Sequence, residues 1–193
     1  RRQVDFARQL VNDCGYPGAE IHLSEWHYIP SAFGTCPPER QERYFDYTMK
    51  HLEAAAYISG VLTVLQDTAL DMANYYTVTA TSFGLFTTRR VKTKSYYAMK
   101  AFGEIIRYPE RLAISSDSDV YALAGRNGAG EIAVLLTVLR MSGGDITLQL
   151  DGAVGEVRHY SIDEDNDLTE IPLSRIEPGK IVLKINSKPS VQL

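Results

Sequence analysis

At Tyr108-Pro109 the hydrophobic pattern of this 193-residue chain changes period. Before that point helix-like and strand-like stretches alternate. Residues 3–13 place Val4, Ala7, Leu10 and Val11 at helical spacing, and Gly15 with Pro17 ends the run. Residues 19–25 read as a short strand with Ile21, Leu23 and Glu25 on one parity. The stretch 28–38 holds three Pro and one Gly and is a loop. A long helix is expected from Pro38 to the mid-60s, its apolar stripe made by Tyr44, Tyr47, His51, Ala55, Ile58, Leu62 and Leu65. Residues 70–78 read as a second strand, 79–92 as a loop, and 95–106 as a helix with Tyr97, Ala101 and Ile105 inward. Helix, strand, helix, strand, helix is the order of parallel βα units.

Past Pro109 only short apolar or alternating runs remain: 120–124, 132–139, 146–150, 157–162 and 181–185. Asn127-Gly128, Gly143-Gly144, Asp151-Gly152 and Pro178-Gly179 separate them. Strands at that spacing, with those turn residues, predict an antiparallel meander in a small β-sandwich. Residues 132–139 are apolar on both parities, which predicts a central strand covered on both faces. Asp163–Asp167 reads as a solvated acidic turn. The expected class is α/β plus all-β, with one unit over 1–108 and a second over 109–193.

A net charge of −4 and the lack of a Lys/Arg-rich stripe argue against a nucleic-acid partner. No stretch is long and apolar enough to span a membrane. Cys14 and Cys36 are too few for a disulfide framework or a metal site; they read as two free thiols, with a single bridge as the alternative. Neither a cofactor nor a metal is expected. The chain opens Arg1-Arg2 without an initiator Met, which reads as a processed, truncated or fragmentary product.

The residue with most chemistry at stake is Glu25, at the C-terminal tip of the first strand. In (β/α)₈ barrels that rim carries the catalytic groups. A carboxylate there costs solvation free energy unless a partner or a reaction uses it. The other reading is a strand-end carboxylate paired with an Arg. Twelve Tyr invite a sugar-lined cleft, although a Tyr ring with its hydroxyl serves packing as well. Trp26 reads equally as a sugar platform or as interlayer packing, and His27 as a loop residue with one hydrogen bond or as a substrate contact. Glu20, Asp67 and Asp71 fall at the opposite ends of the strands and are not catalytic candidates.

The order of these parts resembles the C-terminal portion of a clan A retaining glycoside hydrolase. It is most similar to family 39, the β-xylosidases and α-L-iduronidases, and next to the α-L-arabinofuranosidases of family 51. Leu23-Ser24-Glu25-Trp26-His27 resembles the end of the seventh barrel strand, which carries the nucleophile. Tyr75-Tyr76 resembles the aromatic pair of the eighth strand. Gly84-Leu85-Phe86 and Lys94-Ser95-Tyr96-Tyr97-Ala98-Met99-Lys100 resemble the turn and the segment after that strand. Tyr160-Ser161-Ile162-Asp163 resembles a Tyr-x-Ile-Asp element of the appended sandwich. His27 stands where Asn is usual, Tyr76 where Trp is, and Ser95 where Pro is.

The resemblance implies the last two βα units of a (β/α)₈ barrel followed by a small antiparallel β-sandwich. It also implies Glu25 as the nucleophile, with Trp26, His27, Tyr28, Tyr75 and Tyr76 binding an oligo- or polysaccharide of xyloside, uronide or arabinoside type. The acid/base of such enzymes sits in an Asn-Glu pair on the fourth strand, and no Asn-Glu occurs in these residues. The expected partners are therefore a missing N-terminal barrel portion or further copies of the chain, and the chain alone is expected to be inactive. Relatives are often exported, which leans the compartment towards secreted or periplasmic. The alternative is a non-catalytic carbohydrate-binding or structural module, for which a row of exposed aromatics on the sandwich is the mark.

Overall fold

The computed structural model describes residues 1–29, 37–116, 119–140, 143–151, 155–186 and 189–193. The expected loop over 28–38, and Cys36 with it, lies largely outside them. Cys14 is free and exposed.

Helix α1 (Arg2–Asp13) leads into strand β1 (His22–Trp26); α2 (Gln41–Asp46) and α3 (Leu52–Leu65) precede β2 (Met72–Tyr75), and α4 (Lys94–Ile105) comes next. β1 and β2 pair in parallel, and α3 packs along α4. The small residues Ala98 and Ala101 allow that close approach, and both are fully buried. A side chain fastens α1: Arg8 donates to the Ala19 carbonyl at 2.7 Å and meets Asp71 at 3.1 Å. No residue of α1 is buried, and Leu10, one of the apolar residues at helical spacing, is 52% exposed.

The long helix expected from Pro38 onwards is broken. A 3₁₀ turn at Pro38–Arg40 precedes α2, and a second at Thr48–Lys50 separates α2 from α3. His51 is extended there, with φ −87° and ψ −160°. The break turns Met49 and Lys50 inward, and throws Tyr47 outward to stack on His51 at 4.4 Å. Inside, the Lys50 ammonium donates to Asp46 one turn back and to the carbonyls of Thr81 and Phe86 in the loop that follows β2.

Beyond α4 the described residues form nine strands: β3 (Glu110–Leu112), β4 (Val120–Arg126), β5 (Ile132–Val138), β6 (Gly144–Gln149), β7 (Tyr160–Ile162), β8 (Asp167–Glu170), β9 (Arg175–Glu177), β10 (Lys180–Ile185) and β11 (Ser190–Gln192). They make two antiparallel sheets, ordered β3-β4-β5-β11-β7-β8 and β6-β10-β9. The expected meander is therefore wrong in its order. β11, three residues long and too short to show a period, inserts between β5 and β7. β6 leaves its predecessor β5 for the other sheet. Gly143 and Gly144, at φ 86° and 132°, supply a turn that side chains resist.

β5 is the central strand its two apolar parities predict. Ala133 and Leu135 face a cluster with Ile58 of α3 and Ala98 and Ala101 of α4. Val134, Leu136 and Val138 face Ile181, Leu183 and Ile185 across the second sheet. Leu23, Ala73 and Tyr75 join the helix side of the first cluster. The layers are thus the β1–β2 pair, the helices, the six-stranded sheet and the three-stranded sheet. One core crosses residue 108, and the Thr137 hydroxyl donates to Ser59 on α3 at 2.6 Å inside it.

Candidate active site

β1 and β2 end side by side, and an irregularity in their pairing decides what each side chain does. Leu23 pairs with Ala73 and Trp26 with Tyr75, so β1 spends one residue more than β2 between these rungs. That extra residue is a bulge, which shifts the alternation downstream of it. Leu23 and Trp26 both turn to the helix-side core, while Ser24 and Glu25 are left exposed. The single parity expected for Leu23 and Glu25 does not hold.

Glu25 has no hydrogen-bond or ion-pair partner among the described residues, and its charge acts on the ring of His27. The Arg-paired reading of this carboxylate is not what the structure contains. Trp26 is corrected: the indole is 9% exposed and packs edge-on against Tyr75 at 5.0 Å, so its face is a core surface and no sugar platform.

His27 is held on all sides. Nδ1 lies 2.6 Å from the Tyr28 carbonyl, Nε2 lies 3.0 Å from the Phe83 carbonyl, and the ring stacks on Tyr75 at 5.1 Å. Burial lowers its pKa below the usual value, against the pull of the two carbonyls and of Glu25. Tyr28 turns to α3, where its hydroxyl donates to Glu53 at 2.9 Å and its ring tilts on Tyr57. Burial and the Glu53 carboxylate push the Tyr28 hydroxyl up to about 12. Burial also raises that of Tyr75. Of the expected substrate contacts, Tyr76 is the most exposed, at 47%, and its ring lies 6.0 Å from that of Phe83.

Sequence reading missed the residues that shape this rim. Lys50, 2% exposed, ties the 79–92 segment to the 3₁₀ turn before α3. Asp46 takes that ammonium and also the Thr88 amide and hydroxyl, and these donors outweigh burial to hold its carboxyl below the usual range. Phe83 touches His27, Phe45 and Tyr76. A lysine in a helical run gives no sign of being interior; only the loop folded over it shows that.

At the other end of the strands, Asp71 accepts from Arg8 and the Ile21 amide and so ties α1 to β1, while Glu20 meets His22 at 2.7 Å on the surface. Two cavities lie away from Glu25. One, of about 400 Å³, is bordered by Val157, His159 and Leu173. The other, of about 210 Å³, lies between Thr63, Asp67 and Arg111. Among the described residues no three His, Cys, Asp or Glu side chains gather as a metal site, and no helix is long and apolar enough to cross a membrane.

No family model matches this sequence, and no curated protein matches it. Solved structures do. A glucosidase from Croceicoccus marinus matches all of this chain and 48% of its own, at 17% identity and TM-score 0.69. A family 30 subfamily 8 xylanase from Clostridium acetobutylicum matches 95% of this chain and 43% of its own, at 11% identity and TM-score 0.65. A family 39 glycoside hydrolase from Bacteroides cellulosilyticus matches 98% of this chain and 37% of its own, at 14% identity and TM-score 0.62. The fold is one that glycoside hydrolases contain. The chain spans less than half the length of each, and at these identities the likeness speaks for the fold.

Proposed function

We propose that this chain is the C-terminal part of a retaining glycoside hydrolase and that Glu25 is its nucleophile. The observation that carries the reading is the fold shared, over nearly the whole chain, with a xylanase, a glucosidase and a family 39 enzyme. Glu25 fits the role by position, at the C-terminal end of a parallel strand, and by its lack of an ion-pair partner among the described residues. A retaining enzyme needs two carboxyl groups about 5–5.5 Å apart, one attacking the anomeric carbon and one protonating the leaving oxygen. In this reading the proton donor and the other cleft walls come from a preceding portion that completes a (β/α)₈ barrel. The β1–β2 pair supports that. Parallel strands are ordinarily covered on both faces, and here helices cover one face while Met72 and Tyr76 stay exposed.

The substrate class is an oligo- or polysaccharide of xyloside, uronide or arabinoside type. Tyr76 is the contact that the geometry favours; Trp26, His27, Tyr28 and Tyr75 serve by holding the rim. A carbohydrate-binding module gains no support, because Tyr121 and Tyr160 on the sheets are only half-exposed and form no open row. The test is Glu25→Gln in the full-length parent. Hydrolysis should fall by about 10⁴-fold or more while the fold survives, and near-wild-type turnover would remove the assignment.

A further inference from the structure

We infer that His27 is a positioning residue that joins the two strand ends of the site, and that it makes no contact with the substrate. Its value to catalysis rests on the reading of Glu25 above; its existence as a link does not. Both ring nitrogens face backbone carbonyls, Tyr28 at 2.6 Å and Phe83 at 3.0 Å. A carbonyl only accepts, so each contact needs an N–H on the ring, and a neutral imidazole offers one at a time. A carbonyl stands in front of each nitrogen, which leaves neither open to a sugar hydroxyl.

The Phe83 contact spans 56 residues of sequence and reaches into the turn that closes over β2. The Phe83 carbonyl also accepts from the Thr77 amide at 3.0 Å, and the Leu85 amide donates back to the Thr77 carbonyl at 3.1 Å. Thr77 comes directly after Tyr76. Through that ladder the ring two residues beyond Glu25 fixes the backbone that carries Tyr76. Stacking on Tyr75 and the edge of Phe83 holds the imidazole in plane. Glu25 and Lys50 are the charged groups that face it, with opposite effects on its protonation.

The experiment uses the 193-residue chain and needs no substrate, so its outcome is independent of the Glu25→Gln result. Long-range ¹H–¹⁵N spectra of the His27 ring should show Nε2, the nitrogen facing Phe83, protonated and fixed near neutral pH; a proton fixed on Nδ1 instead would leave the Phe83 contact without a donor and overturn the link. A ring that averages its two tautomers as free histidine does would overturn the link. The second measurement is amide exchange at Thr77 and Leu85 in two variants. His27→Phe keeps a ring without a donor and should speed exchange there about tenfold, one hydrogen bond's worth. His27→Gln returns an N–H near Phe83 and should restore the rate to within about threefold. Equal rates in all three proteins would reduce the ring to packing; should His27→Phe not fold, the ring spectrum alone decides.

Discussion

Trp26 and Asp163 show how little a residue's type says about its work until its surroundings are known. By type the indole suits a sugar as well as the interior, and the bulge beside Glu25 sends it inside. Trp26→Ala should therefore cost about 3–5 kcal/mol in urea unfolding, whereas loss of an exposed platform would leave stability within about 0.5 kcal/mol. Asp163 reads from sequence as solvated. Instead it is half-buried, accepting from the Ser161 hydroxyl at 2.6 Å, the amides of Asp165 and Asn166 and the Asn166 side chain. Burial raises its pKa, but these donors prevail and hold it below the usual carboxylate value. A depressed folded pKa means stability that is present above the unfolded value, about 3.9, and lost as pH falls through the folded one. Asp163→Asn should cost about 1 kcal/mol at pH 7, and denaturation curves should draw together with the parent protein's as pH falls below the unfolded value.

Elements are legible in the sequence wherever their period runs long enough. α4 lies within a residue of its expected start, and of its expected inward face Ala101 and Ile105 are buried while Tyr97 is partly so. The central place of β5, and its cover on both faces, can be read from its own residues. β3, β8, β9 and β11 escape, each of three or four residues, as does the break before α3, where Lys50 meets carbonyls more than 30 residues away. The join between α3 and β5 offers a measurable case. Thr137→Val leaves the buried Ser59 hydroxyl without its partner and should cost about 1–2 kcal/mol. Adding Ser59→Ala should recover much of that, since no polar group is then stranded. Chemical denaturation of the four proteins in that cycle gives the coupling, and strict additivity would show the pair to be independent.

For the whole molecule, the helix-side core is shared between the βα portion and the β-sheets, so the proposed division at residue 108 does not separate two cores. Among the described residues no such core covers the far face of the β1–β2 pair, and α1 too leaves apolar side chains in water. Phe6, Leu10, Met72, Tyr76 and Val78 are between 47% and 71% exposed. Exposed apolar area of this kind is rare on stable monomers and drives association. Sedimentation velocity on the isolated chain should show concentration-dependent oligomers, and Phe6→Ser with Leu10→Ser should shift them towards monomer. A single sharp monomer boundary would count against the open-face argument.

Local sequence was enough for the alternation of helix and strand, the change to all-β after Pro109, the central place of β5, and Glu25 as the acidic residue at a strand tip. Side-chain periodicity sets these, together with turn residues whose conformational preferences act within a few positions. The strand order, the inward turn of Trp26, the burial of Lys50 and the joining of His27 to Phe83 emerged only in the folded chain. Each of those depends on groups brought together from distant stretches, where one extra residue in a strand or one carbonyl folded within reach outweighs any local preference.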